Sequence, residues 1–192
     1  FIKPNTKSNV GTQVSATTDA SSVTFDKTAP NQPTSPSFTA TGGTVTANYI
    51  NNTNTGFTVN FTSPASEYAG TAHLYVGGSL LANDVTTTVS AASTQYTLTG
   101  NSQSITDLGA DGAKVLTVKI IDTAGNVGIV SSNINITLDK ATPQLSTVTI
   151  ASNNANTAYA KVGDRVTLTI ASNENIQTPT ITIAGNTVSP SG

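Results

Sequence analysis

The 192-residue sequence has no cysteine, methionine or tryptophan, a single histidine (His73), and only 9% charged residues. Each shortage excludes something. Without cysteine there is no disulfide framework, no thiolate nucleophile and no thiolate-ligated metal. One histidine excludes a His-rich zinc site. Eight Lys and Arg residues stand against ten Asp and Glu, for a net charge of −2. Spread along the chain, those eight make no electrostatic footprint for nucleic acid. No apolar run approaches the ~18 residues of a membrane-spanning helix. The opening Phe1-Ile2-Lys3-Pro4 does not read as a signal peptide.

What is abundant is small and polar. Thr, Ser and Asn contribute 36, 20 and 19 residues. This composition does not predict disorder, which combines low hydrophobicity with high charge; here 36% of residues are hydrophobic and charge is scarce. β-Branched side chains favour strands, because the stiff branch packs well on a pleated face. No ten-residue window has helical periodicity. At ~150 residues per domain, the length predicts one or two domains.

Period-2 alternation predicts strands at 57–62, 72–76, 115–121, 134–138, 166–170 and 180–183. Weaker candidates lie at 38–40, 85–89 and 95–98. Phe57, Val59 and Phe61 share one face, as do Ala72, Leu74 and Val76, with His73 and Tyr75 on the opposite side. Gly42-Gly43, Gly77-Gly78, Asp111-Gly112, Gly125-Asn126 and Gly185-Asn186 supply turn signals, since Gly and Asn accept the positive φ of tight turns. Short alternating strands separated by such turns predict an all-β fold built as an antiparallel β-sandwich. The expected core is Phe57, Val59, Phe61, Leu74, Val76, Val118, Ile120, Ile134, Ile136 and Leu138.

The chain also repeats itself. Phe25-Asp26-Lys27-Thr28-Ala29-Pro30 recurs 113 residues later as Leu138-Asp139-Lys140-Ala141-Thr142-Pro143. Asn9-Val10-Gly11 matches Asn126-Val127-Gly128. Phe57–Phe61 matches Val166–Ile170 at an offset of 109, and Leu74-Tyr75-Val76 matches Ile181-Thr182-Ile183 at 107. Collinear matches with small insertions are the mark of tandem modules. Residues 1–29 then read as the closing strands of one module, 30–142 as a complete module, and 143–192 as the opening strands of another. Fifty residues cannot close a sandwich, so the sequence reads as a window of a longer array.

Three motifs carry a resemblance. Ile121-Asp122-Thr123-Ala124-Gly125-Asn126 resembles the "D-x-A-G-N" turn of bacterial and archaeal Ig-like repeats of cell-surface proteins. Asp139–Pro143 is similar to their "D-x-T-x-P" linker, and Ala160–Leu168 resembles their "VGD-x-V-T-L" entry to the second strand. The resemblance implies tandem immunoglobulin-like β-sandwich modules and an extracellular, cell-surface location, as in S-layer proteins and large adhesins. The stretch Thr41–Thr55 departs from the pattern.

In such modules the linker, the second-to-third-strand loop and the loop before the last strand meet at one pole. That pole would gather Asp26, Glu67 and Asp122. The other pole would carry Asp107 and Asp111, facing Asp139 and Glu174 of the next module. Calcium takes several oxygens, carboxylates first, and the resemblance implies calcium between modules. The plainer reading is that Asp122 and Asp139 satisfy turn amides. Asn51-Asn52-Thr53, Asn60-Phe61-Thr62 and Asn135-Ile136-Thr137 match the N-x-Thr sequon, as three matches in so Asn- and Thr-rich a chain would by chance. His73 reads as inert; a triad needs a His held beside a nucleophile, and no Gly-x-Ser-x-Gly elbow occurs. Glu67 and Glu174 fall in different modules and make no glycosidase pair.

The expectation is a non-enzymatic structural segment of a surface protein, self-associating with copies of itself in an S-layer lattice or forming an adhesin stalk. The alternatives are a module recognising glycan or protein, to which the irregular Thr41–Thr55 stretch points, and a filament subunit donating strands from residues 1–29 to residues 143–192 of the next copy.

Overall fold

A computed structural model describes residues 25–183 and 185–190. Among the described residues the fold is all-β apart from one short helix. The predicted strands at 1–29 fall largely on residues outside those described.

Two sheets enclose the principal core. The first has three antiparallel strands in the order β1 (Thr34–Thr41), β3 (Gly56–Thr62), β7 (Gln95–Asn101). The second has the order β2 (Tyr49–Asn51), β9 (Ile134–Asp139), β8 (Gly112–Ile121), β4 (Gly70–Val76), β5 (Ser79–Leu80), with β6 (Thr86–Val89) also paired to β4. Every pair is antiparallel except β2–β9, which is parallel.

Alternation decides which side chains face inward. Phe57, Val59 and Phe61 of β3 meet Leu74 of β4, Leu116, Val118 and Ile120 of β8, and Ile134, Ile136 and Leu138 of β9 in one buried cluster. Nine of the ten residues expected in the core belong to it; Val76 is partly buried against its edge. Tyr75 departs from a simple inside–outside reading. It lies on the outer face yet is buried, with the Lys119 ammonium 4.7 Å from its ring centre. The lysine stem and its charge cover the ring, a cation–π contact.

Short elements close the ends of the core. Helix α1 (Ser102–Asp107) is capped by Asn101, whose Oδ1 accepts from Ser104 N while Ser104 Oγ accepts from Asn101 N. That reciprocal box satisfies otherwise orphaned amides, and Ile105 and Leu108 plug the cluster. The irregular Thr41–Thr55 stretch carries the chain from the first sheet to the second and buries Ile50 completely. It is knitted by amides: Asn54 Nδ2 donates to Gly42 O at 2.6 Å, Asn51 Nδ2 to Thr44 O at 2.7 Å, and Asn51 N to Asn54 Oδ1 at 2.8 Å. Gly42 and Gly43 have positive φ, and a Cβ on either would collide with Thr55 or Thr53.

Beyond Asp139 come two hairpins outside this core. Strand β10 (Leu145–Ser152) pairs with β11 (Val166–Ser172), and β12 (Ile181–Ile183) with β13 (Asn186–Val188). Several of their apolar residues are open: Leu145, Val148 and Ile150 are 57–60% exposed and Val166 46%, while Leu168, Ile170, Ile181 and Ile183 are half-buried.

Candidate functional site

The loops at one pole of the two-sheet body carry the main constellation. Asp26, Glu67 and Asp122 line one open hollow of about 260 Å³ together with Thr28, Pro30, Tyr68, Ala69 and Thr123. The sequence expectation that these three acids converge describes the geometry.

Their hydrogen bonds indicate what holds them there. Asp122 Oδ1 accepts from Asn126 N at 2.8 Å and Oδ2 from Asn126 Nδ2 at 2.9 Å. Gly125, at φ 90°, permits the turn that brings Asn126 back. The Asn126 side chain leads the lowering of the Asp122 pKa; desolvation opposes it, and the amides of Asn126, Ala124 and Gly125 lower it further. Asp26 Oδ1 accepts from Thr28 N at 2.9 Å. Glu67 has φ 48°, in the left-handed region, and its carbonyl accepts from Asn31 N at 2.8 Å.

The linker before β1 is therefore built into the body. Pro30 is fully buried, and its carbonyl accepts from Ile129 N at 3.0 Å. Asn126 Nδ2 donates to Asp26 O at 3.2 Å. Asn31 Nδ2 reaches Ser66 O and Oγ at 3.2 Å. Gly128 lies so close that a Cβ there would sit 2.7 Å from Pro30 O and 2.8 Å from Ile120 O. The residues of the "D-x-A-G-N-x-G" loop thus grip the repeated linker.

The acids expected at the opposite pole have different partners. Asp107 Oδ2 accepts from Asn83 N and Nδ2, both at 2.9 Å, and the Asn83 side chain leads the lowering of its pKa. Asp111 Oδ2 accepts from Lys140 N at 3.0 Å, one residue beyond Asp139. Asn52 Nδ2 donates to Thr142 Oγ1 at 3.0 Å. Asp139 ends β9 in register with Asn51. Glu174 lies just past β11, where the Ser172 hydroxyl donates to its backbone carbonyl. Calcium seeks six to eight oxygens. Among the described residues, no group of three or more His, Asp or Glu side chains is arranged to hold a metal ion. Asp122 and Asp26 accept from turn amides, the local role that the sequence also allowed for Asp122.

Two acids outside the expected set are also engaged. Asp84 Oδ2 lies 2.6 Å from His73 Nδ1 and ties the loop before β6 to β4. Asp164 accepts from Lys161 N at 2.8 Å, Lys161 Nζ at 2.9 Å and Asn154 Nδ2 at 2.9 Å; the Lys161 amide leads the lowering of its pKa. Asp84 had no sequence signal beyond its charge, because its partner lies eleven residues earlier on a strand. Asp164 could have been found, since an aspartate after Val162-Gly163 is placed to cap its own turn.

Of the sequon asparagines, Asn51 is internally satisfied: its Oδ1 accepts from Thr53 N and Oγ1, and its Nδ2 donates to Thr44 O. No protein-family model, curated protein or solved structure matches the chain.

Proposed function

We propose that the chain is a non-enzymatic structural segment of an extracellular cell-surface protein, in which tandem immunoglobulin-like sandwich modules build an S-layer lattice or an adhesin stalk. Strand order supports the module type. A three-stranded sheet β1-β3-β7 faces a sheet ordered β2-β9-β8-β4-β5, and the chain crosses between them after β1 to run parallel to the last strand. Tyr96 adds to it: at the start of β7 its hydroxyl accepts from Ser90 N and Ala91 N, pinning a corner of the body.

The observation that carries the mechanical reading is the linker. Asp26 to Asn31 is not a free tether but an integral part of the body, with Pro30 buried against Gly128 and bonded to Ile129. A linker absorbed into its module leaves few rotatable bonds between modules, which suits a load-bearing array. The Thr41–Thr55 stretch, the one feature that pointed to ligand recognition, is spent on bridging the two sheets and burying Ile50. That use favours the structural reading over a tip module.

Electron microscopy of the native cell surface, with an antibody raised against this chain, tests the proposal. A labelled continuous lattice or straight fibres is the expected result. Label confined to the cell interior overturns it.

A further inference from the structure

The chain leaves the two-sheet body between two of its loops, and both loops hold it. Strand β9 ends at Asp139, in parallel register with Asn51 of β2, and one residue earlier Leu138 pairs with Gly112 of β8. Where strand pairing stops, side chains take over. Asp111, just before β8, accepts from Lys140 N through Oδ2 at 3.0 Å. Asn52, just after β2, donates from Nδ2 to Thr142 Oγ1 at 3.0 Å. Gln144 is tied instead to the hairpin β10–β11. Its amide donates to Asn173 Oδ1 at 2.7 Å, and its carbonyl accepts from Asn173 N at 3.0 Å.

Asn52 sits on a turn that is braced from within. Asn51 Oδ1 accepts from Thr53 N and Thr53 Oγ1, and Asn54 N donates to Asn51 O at 3.2 Å. Asn54 Nδ2 ties the turn to Gly42 O and Thr44 O. The Asn52 side chain takes no part in that bracing; its hydrogen bond goes to Thr142.

We infer that Asp111 and Asn52 form a clamp on the outgoing segment Lys140–Thr142, and that the irregular Thr41–Thr55 stretch is the arm that carries one half of it. Between Thr142, held to the body, and Gln144, held to the hairpin, stands only Pro143. Its ring fixes φ, and its δ-carbon keeps Thr142 out of the helical region. The soft torsions left are the ψ angles of Thr142 and Pro143 and the φ of Gln144, and the first of these is already restricted. The joint between body and hairpin is therefore stiff rather than a tether. Asp111 and Asn52 act by positioning, in whatever larger assembly the chain belongs to, so the clamp can fail without the surface proposal failing.

Backbone NMR relaxation of the 192-residue chain tests the clamp. Rigid backbone has order parameters of about 0.85, and flexible backbone falls below about 0.6. Lys140, Ala141 and Thr142 should have rigid values in the unmodified chain and flexible ones in the double variant Asp111→Ala/Asn52→Ala. Both changes are at exposed positions, so the melting curve of the body should stay in place. Asp111→Asn keeps an acceptor oxygen and should preserve the rigid values. Thr142→Val removes the hydroxyl from outside the body, without touching its core, and should lower the value at Thr142. Flexible values at Lys140–Thr142 in the unmodified chain overturn the inference. Rigid values in both the double variant and Thr142→Val overturn it as well, and if the double variant fails to fold, Thr142→Val decides alone.

Discussion

Two hairpins in this molecule share a register and an alternation but not an environment. Phe57, Val59 and Phe61 of β3 are completely buried, whereas their repeat counterpart Val166 is 46% exposed and Val148 and Ile150 beside it 57% and 60%. The same contrast holds for the linkers: Pro30 is buried, and Pro143 is exposed. Strand pairing therefore follows from local sequence and is present in both places. Burial does not, because it needs the facing sheet. The alternating pattern specifies which face could be buried; only packing partners distant in sequence bury it.

Substitutions in the two hairpins should separate these contributions most strongly. Phe61→Ala deletes a ring enclosed by the facing sheet and stacked on Tyr96 at 5.9 Å. It should cost about 3–5 kcal/mol in denaturant unfolding. The counterpart Ile170→Ala, half-buried but outside that core, should change the same transition by about 1 kcal/mol or less. Equal costs would mean that the C-terminal hairpin shares the core of the body, and the comparison would fail.

The linkers give the next largest effect. Gly128→Ala forces a Cβ against Pro30 and Ile120 backbone and should destabilise by about 1–3 kcal/mol, as overpacking does. It should also free the segment from Asp26 to Pro30, read as lost exchange protection at Ile129. Pro143→Ala, at the equivalent linker position, should leave the melting temperature unchanged. A wild-type melting curve for Gly128→Ala would show that the linker is not built into the body.

Acid should affect both regions, by the same chemistry. Asp107 and Asp122 in the body and Asp164 in the C-terminal region have pKa values lowered by hydrogen-bond donors in the folded state. Their stabilisation is complete above the unfolded aspartate value of about 3.9 and is lost as pH falls through the lower folded values. Stability of the body should be flat above about pH 5 and decline below about pH 4. Asp122→Asn removes one titrating contributor and should flatten the decline. A fall that begins near neutrality would point to a different group.

The smallest expected effect is that of calcium. Ligand at about a hundred times its Kd would add about 2.7 kcal/mol, an easily measured rise in melting temperature. With Asp122 and Asp26 already serving turn amides, millimolar calcium or its chelation should leave the body's melting curve in place. A rise that vanishes in Asp122→Ala or Glu67→Ala would instead establish a junction cation at this pole.

Much of the fold was legible because strands with clean alternation need only local information. The strands at Phe57, Leu74, Val118, Ile134 and Val166 were found this way. The elements missed were short or depended on distant partners. Helix α1 has six residues, too few to show a period. Strand β2 has three and exists through parallel pairing with β9, some ninety residues away. Strand β10 is the exception: it was not among the predicted strands although Thr147-Val148-Thr149-Ile150 alternates. At the candidate site, convergence of Asp26, Glu67 and Asp122 could be anticipated from loop order. The orientation of each carboxylate toward an amide could not, because it depends on angles set by Gly125 and by the fully buried Pro30.

The sequence by itself determined the all-β class, the repeat, the identity of the inward-facing residues and the turns that cap themselves with Asp, Asn and Gly. These follow from side-chain period, β-branching and local hydrogen bonding, all of which act over a few residues. Only the tertiary structure decided that Pro30 is gripped by the loop around Gly128, that Asp84 meets His73, that Tyr75 is sealed by Lys119, and that one hairpin is covered while its repeat lies open. Each of those is a meeting of surfaces separated along the chain, and packing geometry alone brings such surfaces together.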